Sequence, residues 1–293
     1  MLHRALGVFF PPVKLSVVVI THNEEANIAR TLASVQALVS EGKGEIIVVD
    51  SGSTDRTVEI AKSFGAKVFA EEWKGFAAQK NSAIDKATGD WILSLDADEE
   101  VERDLAALIV YATSERSPHP KQELLTAMGV TIPRDDARGY LVERRNMFLG
   151  RWITHGGYWP DPKLRLFRRG SGRFEDRKVH EDVCVDGETG RLRSGALIHH
   201  SYPTLSDYIE HMNRYSSLGA EMVVAKGKVG FSVANIVVRP LATFVYNYIF
   251  RFGFLDGREG LLLHLYHAVY VSWKYAKAWE LSRKQQQTHR SSS

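Results

Sequence analysis

The chain has 293 residues, enough for one large domain or for one domain with an appendage. Its 44% of hydrophobic residues can form a packed core, and its 25% of charged residues is ordinary for a globular protein. A net charge of +3 gives no indication of nucleic-acid binding, and the one cysteine, Cys184, excludes an intrachain disulfide and fits a reducing compartment.

Strands and helices alternate along the first third of the chain. Residues 15–20 and 45–49 are apolar, β-branched runs that predict buried parallel strands, and runs at 66–70 and 90–95 predict two further strands. Helical patterns lie between them. This alternation predicts an α/β fold with a parallel sheet that is covered by helices on both faces.

Polar residues follow three of these predicted strands, at 21–24, 50–55 and 96–98. In parallel α/β sheets, ligands bind beyond the carboxyl ends of the strands, where such clusters meet. The three clusters therefore predict a nucleotide-binding site at one edge of the sheet.

Two carboxylates, one residue apart, end the fourth predicted strand. Residues i and i+2 of a strand point to the same face, so Asp96 and Asp98 can converge. Converging carboxylates repel each other unless a cation or hydrogen-bond donors neutralise them. Oxygen ligands of this kind suit Mg²⁺ or Mn²⁺ bound together with substrate phosphates. The alternative is a solvated acidic turn that opens a helix.

The middle of the chain is less regular. We predict a helix and a surface excursion over 112–139, short mixed strands over 140–195, and a helix over 204–226. Residues 1–13 lack the pattern of a secretory signal, and no apolar run reaches the roughly 18–20 residues of a membrane-spanning helix, so we expect a cytoplasmic protein.

The C-terminal region, residues 226–284, is basic and aromatic, with nine Lys or Arg residues against three acidic ones. Six of its apolar residues fall on one helical face: Leu241, Phe244, Val245, Tyr248, Ile249 and Phe252. Basic amphipathic helices of this composition favour the membrane interface. The alternative is packing against the rest of the chain or a second subunit. We predict two helices in this region, over Leu241–Phe252 and Leu261–Leu281, and neither is expected to span a bilayer.

Four segments in the same order resemble those of family 2 glycosyltransferases, which have the GT-A fold. They are VVVITHNEE, IIVVDSGSTDRTVEIA, GFAAQKNSAI and GDWILSLDADEE. Three later stretches, YWPDPKLRLFRRG, VHEDVCVDG and HHSYPTLSDYIEHMNRYSS, resemble the branch that includes lipopolysaccharide core-biosynthesis transferases. Together these matches cover most of residues 15–280.

The resemblance also implies the domain organisation. It implies a Rossmann-like GT-A catalytic domain with a mostly parallel sheet over residues 1–225, in which 15–110 form the nucleotide-sugar-binding half and 140–225 the acceptor-side half. A basic amphipathic helical region is expected over 226–284, and a disordered, Gln/Ser-rich tail over 285–293.

The resemblance assigns the nucleotide-sugar donor to residues at the predicted strand ends. In the family, the loop that residues 21–24 match borders the base and ribose, and the carboxylate that Asp50 matches hydrogen-bonds the nucleoside. Asp96 and Asp98 match the D-x-D motif, with Asp98 as the direct metal ligand and Asp96 near the ribose and the metal. The donor-binding set is Thr21, His22, Asn23, Glu24, Asp50, Gln79, Lys80 and Asp96.

The segment His180-Glu181-Asp182 matches the family's acidic motif, which supplies the catalytic base. An extended segment allows only one of the two carboxylates to face the cleft, and we favour Glu181 over Asp182. His180 is a further candidate metal ligand. The alternatives are a charged loop with a surface ion pair and a histidine that merely packs.

We predict that the acceptor sugar binds to Trp152, Tyr158 and Trp159, because aromatic faces stack on the C–H faces of sugars. Arg165, within a basic run, could bind acceptor phosphates. Ordinary burial of large aromatic residues and a solvated basic face are the alternatives.

The resemblance as a whole implies an inverting glycosyltransferase that requires Mg²⁺ or Mn²⁺. We expect a nucleotide-sugar donor, with a UDP-sugar first among the candidates, and a glycolipid or lipopolysaccharide core acceptor at the inner face of the cytoplasmic membrane. A polyprenyl phosphate or protein acceptor is one alternative, and an inactive sugar-nucleotide or glycan-binding protein is another. A dehydrogenase fits poorly because no G-x-G-x-x-G follows the first strand.

Overall fold

The computed structural model describes residues 14–114, 137–175, 183–227 and 229–291. The chain forms two compact units, of which the first comprises Met1–Arg144 and Asp161–His199 and the second Arg145–Pro160 and His200–Ser293. Two of these boundaries, after Arg144 and after His199, fall within long strands, and the boundary expected at residue 225 stays a prediction.

The first unit begins with the four predicted parallel strands. They are β1 (Leu15–Thr21), β2 (Gly44–Asp50), β3 (Lys67–Ala70) and β4 (Trp91–Asp96), arranged in the order β3-β2-β1-β4. The helices that follow the first three strands are α1 (Ile28–Val39), α2 (Thr57–Ser63) and α3 (Phe76–Asp85). The α/β class is therefore confirmed.

Seven further strands follow along the chain. They are β5 (Glu99–Val101), β6 (Gly139–Phe148), β7 (Arg151–Trp152), β8 (Pro162–Arg168), β9 (Gly172–Phe174), β10 (Val183–Val185) and β11 (Thr189–Tyr202). The sheet continues from β4 in the order β8-β6-β11-β5. Because β8 is antiparallel to both β4 and β6, and β5 is antiparallel to β11, the sheet is mixed, and its first four strands form a parallel part.

Both faces of the parallel strands are buried. Val17 and Leu93 point into a core that α1 and α4 (Arg103–Thr113) cover, whereas Val18 and Ile92 point into a second core beneath α3. Burial on both faces explains why these strands are continuous apolar runs with no alternation.

The second unit is largely helical. Its elements are α5 (Leu205–Val224), a π-helical turn (Ala234–Val238), α6 (Arg239–Val245), a second π-helical turn (Tyr246–Phe250), a 3₁₀ helix (Gly253–Asp256) and α7 (Gly257–Ser291). Thr204 and Asp207 form a capping box at the start of α5, and α7 packs along α5. In the described parts of the chain, no helix combines the length and apolar character needed to cross a membrane.

Helix α7 runs to Ser291, into the segment predicted to be a disordered tail. Glutamine is a good helix former, and neither Gly nor Pro interrupts residues 285–291, so the helix begun upstream can continue.

Candidate active site

The register of the parallel strands brings the three polar clusters to one edge of the first unit. Thr21 at the end of β1 pairs with Asp50 at the end of β2, and Ile20 pairs with Asp96 at the end of β4. Since β2, β1 and β4 are adjacent and parallel, the loops that follow them leave the sheet side by side. The expected gathering of 21–24, 50–55 and 96–98 is therefore present.

Asp50 organises the loop that follows β2. Its side chain is 2% exposed, and its Oδ1 accepts hydrogen bonds from Thr21 Oγ1 at 2.9 Å and from Ser53 Oγ at 2.5 Å. Its Oδ2 accepts from the backbone N–H groups of Gly52 at 3.0 Å and Ser53 at 2.9 Å. A carboxylate has about four acceptor positions, so donors of the chain itself fill all of them.

The loop after β1 is bound to the loop after β2. Asn23 has φ +55°, a left-handed conformation that asparagine tolerates. Its backbone N–H donates to Ser53 Oγ at 2.8 Å, and its Oδ1 accepts from the Thr54 N–H at 2.8 Å. His22 Nδ1 lies 3.1 Å from the Ser51 carbonyl oxygen. These contacts fix the two loops to each other.

Glu24 turns towards the carboxylates at the end of β4. Burial raises the pKa of Glu24, a hydrogen bond from Asn27 opposes that rise, and the negative charges of Asp98, Asp55 and Asp96 raise the pKa further. The negative field at this edge of the sheet thus extends across all three clusters.

Asp96 is held between two cations. Lys80 Nζ lies 2.7 Å from its Oδ1, and Arg165 Nη2 lies 2.6 Å from its Oδ2. Burial opposes ionisation, but Arg165 and Lys80 together hold the pKa of Asp96 well below its usual value. Both carboxylate oxygens therefore have a positively charged partner within the chain.

Glu99, which is 0% exposed, completes this network. Its Oε1 accepts from Arg165 Nη2 at 2.8 Å and lies 3.5 Å from Arg144 Nη1, while its Oε2 accepts from the backbone N–H of Asp96 at 3.0 Å. Arg165 is thus part of the carboxylate network of the first unit, although the sequence placed it at the acceptor. Its acceptor role stays a prediction.

Asp98 has a different partner. Its Oδ2 lies 3.3 Å from Nε2 of His199, on β11. Burial opposes ionisation of Asp98, and His199 nevertheless lowers its pKa. His199 was not among the residues predicted for the site. The signal available in the sequence was the His199-His200 pair within the segment HHSY.

The donor set at the end of β4 fits a divalent cation at Asp98 better than at Asp96. Asp98 and His199 offer a carboxylate oxygen and an imidazole nitrogen, whereas both oxygens of Asp96 are taken by cations. Within the described ranges no group of three or more His, Cys, Asp or Glu residues is arranged to hold a metal. Mg²⁺ and Mn²⁺ commonly complete their coordination with water and substrate phosphates.

Of the remaining residues predicted for the donor, the metal and the base, Gln79 and Lys80 lie on α3. Gln79 is buried, and its Oε1 accepts from the Lys74 N–H at 3.3 Å. Lys80, besides its pairing with Asp96, has its Nζ 5.1 Å from the centroid of the Phe174 ring. His180, Glu181 and Asp182 lie outside the described residues, so their roles stay predictions.

The three aromatic residues predicted for the acceptor belong to the second unit. The Trp152 and Trp159 rings meet edge to face with centroids 5.2 Å apart, and the Arg145 guanidinium lies 4.6 Å from the Trp152 centroid. The Tyr158 ring lies 6.0 Å from that of His264, and burial raises the pKa of Tyr158 to about 12. Their binding of an acceptor stays a prediction.

Comparison with known proteins identifies relatives along most of the chain. The family described as "Glycosyl transferase family 2" matches residues 16–117. The "Lipopolysaccharide core biosynthesis glycosyltransferase LpsC" of Rhizobium meliloti is 30% identical over 277 residues, which is 92% of this chain and 93% of that protein. An uncharacterized glycosyltransferase of Rickettsia conorii is 44% identical over 224 residues, 73% of this chain and 72% of its own.

Among solved structures, the mannosyltransferase PcManGT of Pyrobaculum calidifontis, in complex with GDP-Man and Mn²⁺, aligns over 94% of this chain and 91% of its own. The identity is 14% and the TM-score 0.46, which is too distant to carry a donor or a metal over to this chain.

Proposed function

We infer that the chain, which belongs to glycosyl transferase family 2 and has the GT-A fold, moves a sugar from a nucleotide-sugar donor to a lipid-linked or lipopolysaccharide core saccharide. A UDP-sugar is the first donor to test, and the transfer is inverting and dependent on Mg²⁺ or Mn²⁺. The relative from Rhizobium meliloti supports the class of acceptor.

The proposed donor site rests on the arrangement of three neighbouring strand ends. The ends of β2, β1 and β4 bring Asp50, Thr21 and Asp96 into neighbouring positions, and Asp98 follows two residues beyond Asp96. In open α/β sheets this edge is where ligands bind. The nucleoside would lie against Asp50 and the first loop, and the diphosphate would lie towards Asp98.

Asp98 and His199 would hold the divalent cation. When bound, such a cation stabilises the negative charge that develops on the departing diphosphate. Lys80 and Arg165 hold Asp96 in its ionised form, and Glu99 accepts a hydrogen bond from the Asp96 backbone N–H, so that the Asp96 carboxylate is placed to accept a hydrogen bond from a ribose hydroxyl.

The acceptor hydroxyl requires a base. Glu181, or Asp182 in its place, would take the hydroxyl proton while the oxygen attacks the anomeric carbon and the bond from that carbon to the diphosphate oxygen breaks. A single in-line displacement of this kind inverts the anomeric configuration. The aromatic residues Trp152, Tyr158 and Trp159 would hold the acceptor sugar.

We further propose that the acceptor is reached at the inner face of the cytoplasmic membrane, where the C-terminal helices make peripheral contact. The lipopolysaccharide relative and the basic, aromatic composition of residues 226–284 support this location.

Thermal unfolding with a panel of UDP-, GDP-, ADP- and CMP-sugars, each with Mn²⁺ and with EDTA, tests the proposal. A ligand that binds only the folded protein raises its unfolding temperature, by an amount equivalent to about 2.7 kcal/mol at a concentration of 100 Kd. We expect stabilisation by one nucleotide class in the presence of Mn²⁺ and much less in EDTA. Absence of stabilisation by every nucleotide sugar, with Mn²⁺ present, would contradict donor binding.

A further inference from the structure

The second unit exposes a large apolar surface between residues 231 and 255, which we call the 231–255 surface. Single exposed apolar side chains are ordinary, but contiguous patches on soluble proteins mark sites of interaction. Twelve large apolar side chains are exposed here: Phe231, Val233, Val237, Val238, Leu241, Val245, Tyr246, Ile249, Phe250, Phe252, Phe254 and Leu255.

The helical part of this surface, residues 234–250, has side chains in rows spaced four residues apart. Two adjacent rows are exposed and apolar: Val237, Leu241, Val245 and Ile249 form one, and Val238, Ala242, Tyr246 and Phe250 form the other. The row on the far side is half-buried or buried, as Ile236, Pro240, Phe244 and Tyr248. Of the six residues predicted to share one apolar face, Phe244 and Tyr248 are in the packed row and Leu241, Val245 and Ile249 in an exposed one, while Phe252 lies beyond these rows and is exposed.

The packed row faces α7 of the same unit. Ser272 donates a hydrogen bond to the Ile236 carbonyl oxygen at 2.8 Å, and the Tyr248 ring lies 6.3 Å from that of His264. The exposed rows therefore lie on the side that faces away from these contacts. Their backbone groups are satisfied within the helix, which is the condition for contact with an apolar medium.

The fourth row is polar and carries the only charges of the surface. It consists of Arg239, Thr243, Asn247 and Arg251, with an exposed arginine at each end. Residues 229–255 contain no Asp or Glu. Arg239 lies over the ring of Tyr275 and donates to its hydroxyl, and Arg251 lies over the Tyr246 ring. No carboxylate of the described residues pairs with either arginine.

We propose that the 231–255 surface is the part of the protein that enters a membrane, lying in the interface of an anionic phospholipid bilayer. The two apolar rows enter the acyl boundary, and Arg239 and Arg251, at opposite ends of the polar row, meet lipid phosphates. This deepens the proposed function, because it rests on that function for its lipid-carried acceptor and names the surface and the lipid class.

Charge decides between a bilayer and a second copy of the chain. A symmetric contact through the 231–255 surface would bring the arginines of two copies into one apolar interface without a carboxylate to neutralise them, which is unfavourable. An anionic lipid surface supplies the missing negative charge.

Sedimentation of the full-length protein with vesicles tests the proposal. We compare vesicles of phosphatidylcholine alone with an equimolar mixture of phosphatidylcholine and phosphatidylglycerol. The wild type should bind the mixed vesicles, and Leu241→Glu/Phe250→Glu, which changes two exposed residues (62% and 69%), should bind at least tenfold more weakly. The matched control is Val110→Glu/Met222→Glu, at exposed apolar positions of α4 and α5, and it should bind as the wild type does.

A second variant separates the charges from the apolar rows. Arg239→Gln/Arg251→Gln should lose about tenfold in binding to the anionic vesicles and change little with phosphatidylcholine alone. Vesicle binding by Leu241→Glu/Phe250→Glu equal to that of the wild type would overturn the proposal. So would a wild-type dimer without vesicles that Leu241→Glu/Phe250→Glu converts to a monomer, because that result assigns the surface to a second copy.

Nucleotide binding keeps the two proposals distinguishable. Leu241→Glu/Phe250→Glu should retain the thermal stabilisation by nucleotide sugar and Mn²⁺, since both residues belong to the second unit and the donor residues to the first. If the wild type sediments with vesicles but no nucleotide sugar stabilises it, the proposed function fails and the membrane surface stands. If nucleotide sugars stabilise the wild type but it does not bind vesicles, the membrane surface fails and the proposed function stands.

Discussion

Asp96 and Asp98 are one residue apart, yet they have different surroundings and so different chemistry. Asp96 is enclosed by Lys80 and Arg165, whereas the charged partner of Asp98 among the described residues is the imidazole of His199. An ammonium or guanidinium on each oxygen leaves little room for a further cation. A carboxylate beside a histidine can exchange that contact for a metal. This difference between the two carboxylates predicts that binding of the divalent cation depends on Asp98 and His199.

Replacing His199 should therefore weaken metal binding. For His199→Gln we expect Mn²⁺ affinity, measured by calorimetry in the presence of UDP, to fall at least roughly tenfold, as it does when even an outer partner of a metal ligand is lost. His200→Gln is the matched control, because adjacent residues of a strand point to opposite faces. Equal Mn²⁺ affinity in His199→Gln and His200→Gln would show that His199 does not bind the cation.

His264 should make the free energy of unfolding depend on pH. It lies in α7, and neither ring nitrogen has a hydrogen-bond partner among the described residues. The ring packs so closely against the backbone that a Cβ at Gly156 or at Gly253 would overlap it. Burial lowers the pKa of His264 to about 4; His267 and Arg251 lower it further, and Asp256 opposes them.

The sign of the effect follows from this lowered pKa. Between pH 6.5 and about 4 the unfolded chain binds a proton at His264 and the folded chain does not, so stability falls as the pH falls through this window. We expect His264→Leu to lose part of this acid dependence, up to about 3 kcal/mol, in urea unfolding measured across that range. His200→Gln should keep the full dependence. An unchanged slope in His264→Leu would contradict a neutral, buried His264. A residual slope would come from His267, whose pKa burial also lowers.

The burial and length of each strand determine whether the sequence could predict it. Strands β1 to β4 were predictable because both of their faces are buried, which leaves uninterrupted apolar runs. Strands β5, β7, β9 and β10 have only two or three residues and no periodic signal. The antiparallel pairing of β8 with β4 joins segments far apart along the chain, and no local pattern specifies such a pairing.

At the scale of the whole molecule, the donor site and the apolar surface belong to different units. Donor binding should therefore protect only part of the chain from hydrogen exchange. With the stabilising nucleotide sugar and Mn²⁺, we expect slower exchange in peptides that cover 21–24, 50–55 and 96–98. Peptides from α5 serve as the internal control and should not change. Protection confined to α5 and α7 would place the donor elsewhere.

The candidate site was predictable to a similar extent as the fold. Asp50, Asp96 and Asp98 follow apolar strands directly, so their meeting at one edge could be foreseen. His199 could not be, because it reaches Asp98 through the pairing of β11 with β5, in which His199 lies opposite Glu99. The placement of Arg165 beside Asp96 depends in the same way on the pairing of β8 with β4.

The hydrogen bonds that Asp50 accepts bear on which nucleoside the enzyme can hold. A nucleobase reaches this carboxylate only by displacing a donor of the chain, and an exchange of this kind is favourable only when the newcomer restores the bond that is lost. Uracil and guanine present a ring N–H that can do so, whereas cytosine has a lone pair at the corresponding ring nitrogen and can donate only through its exocyclic amino group. A carboxylate already saturated from within can thus discriminate between bases without a side chain reserved for that task.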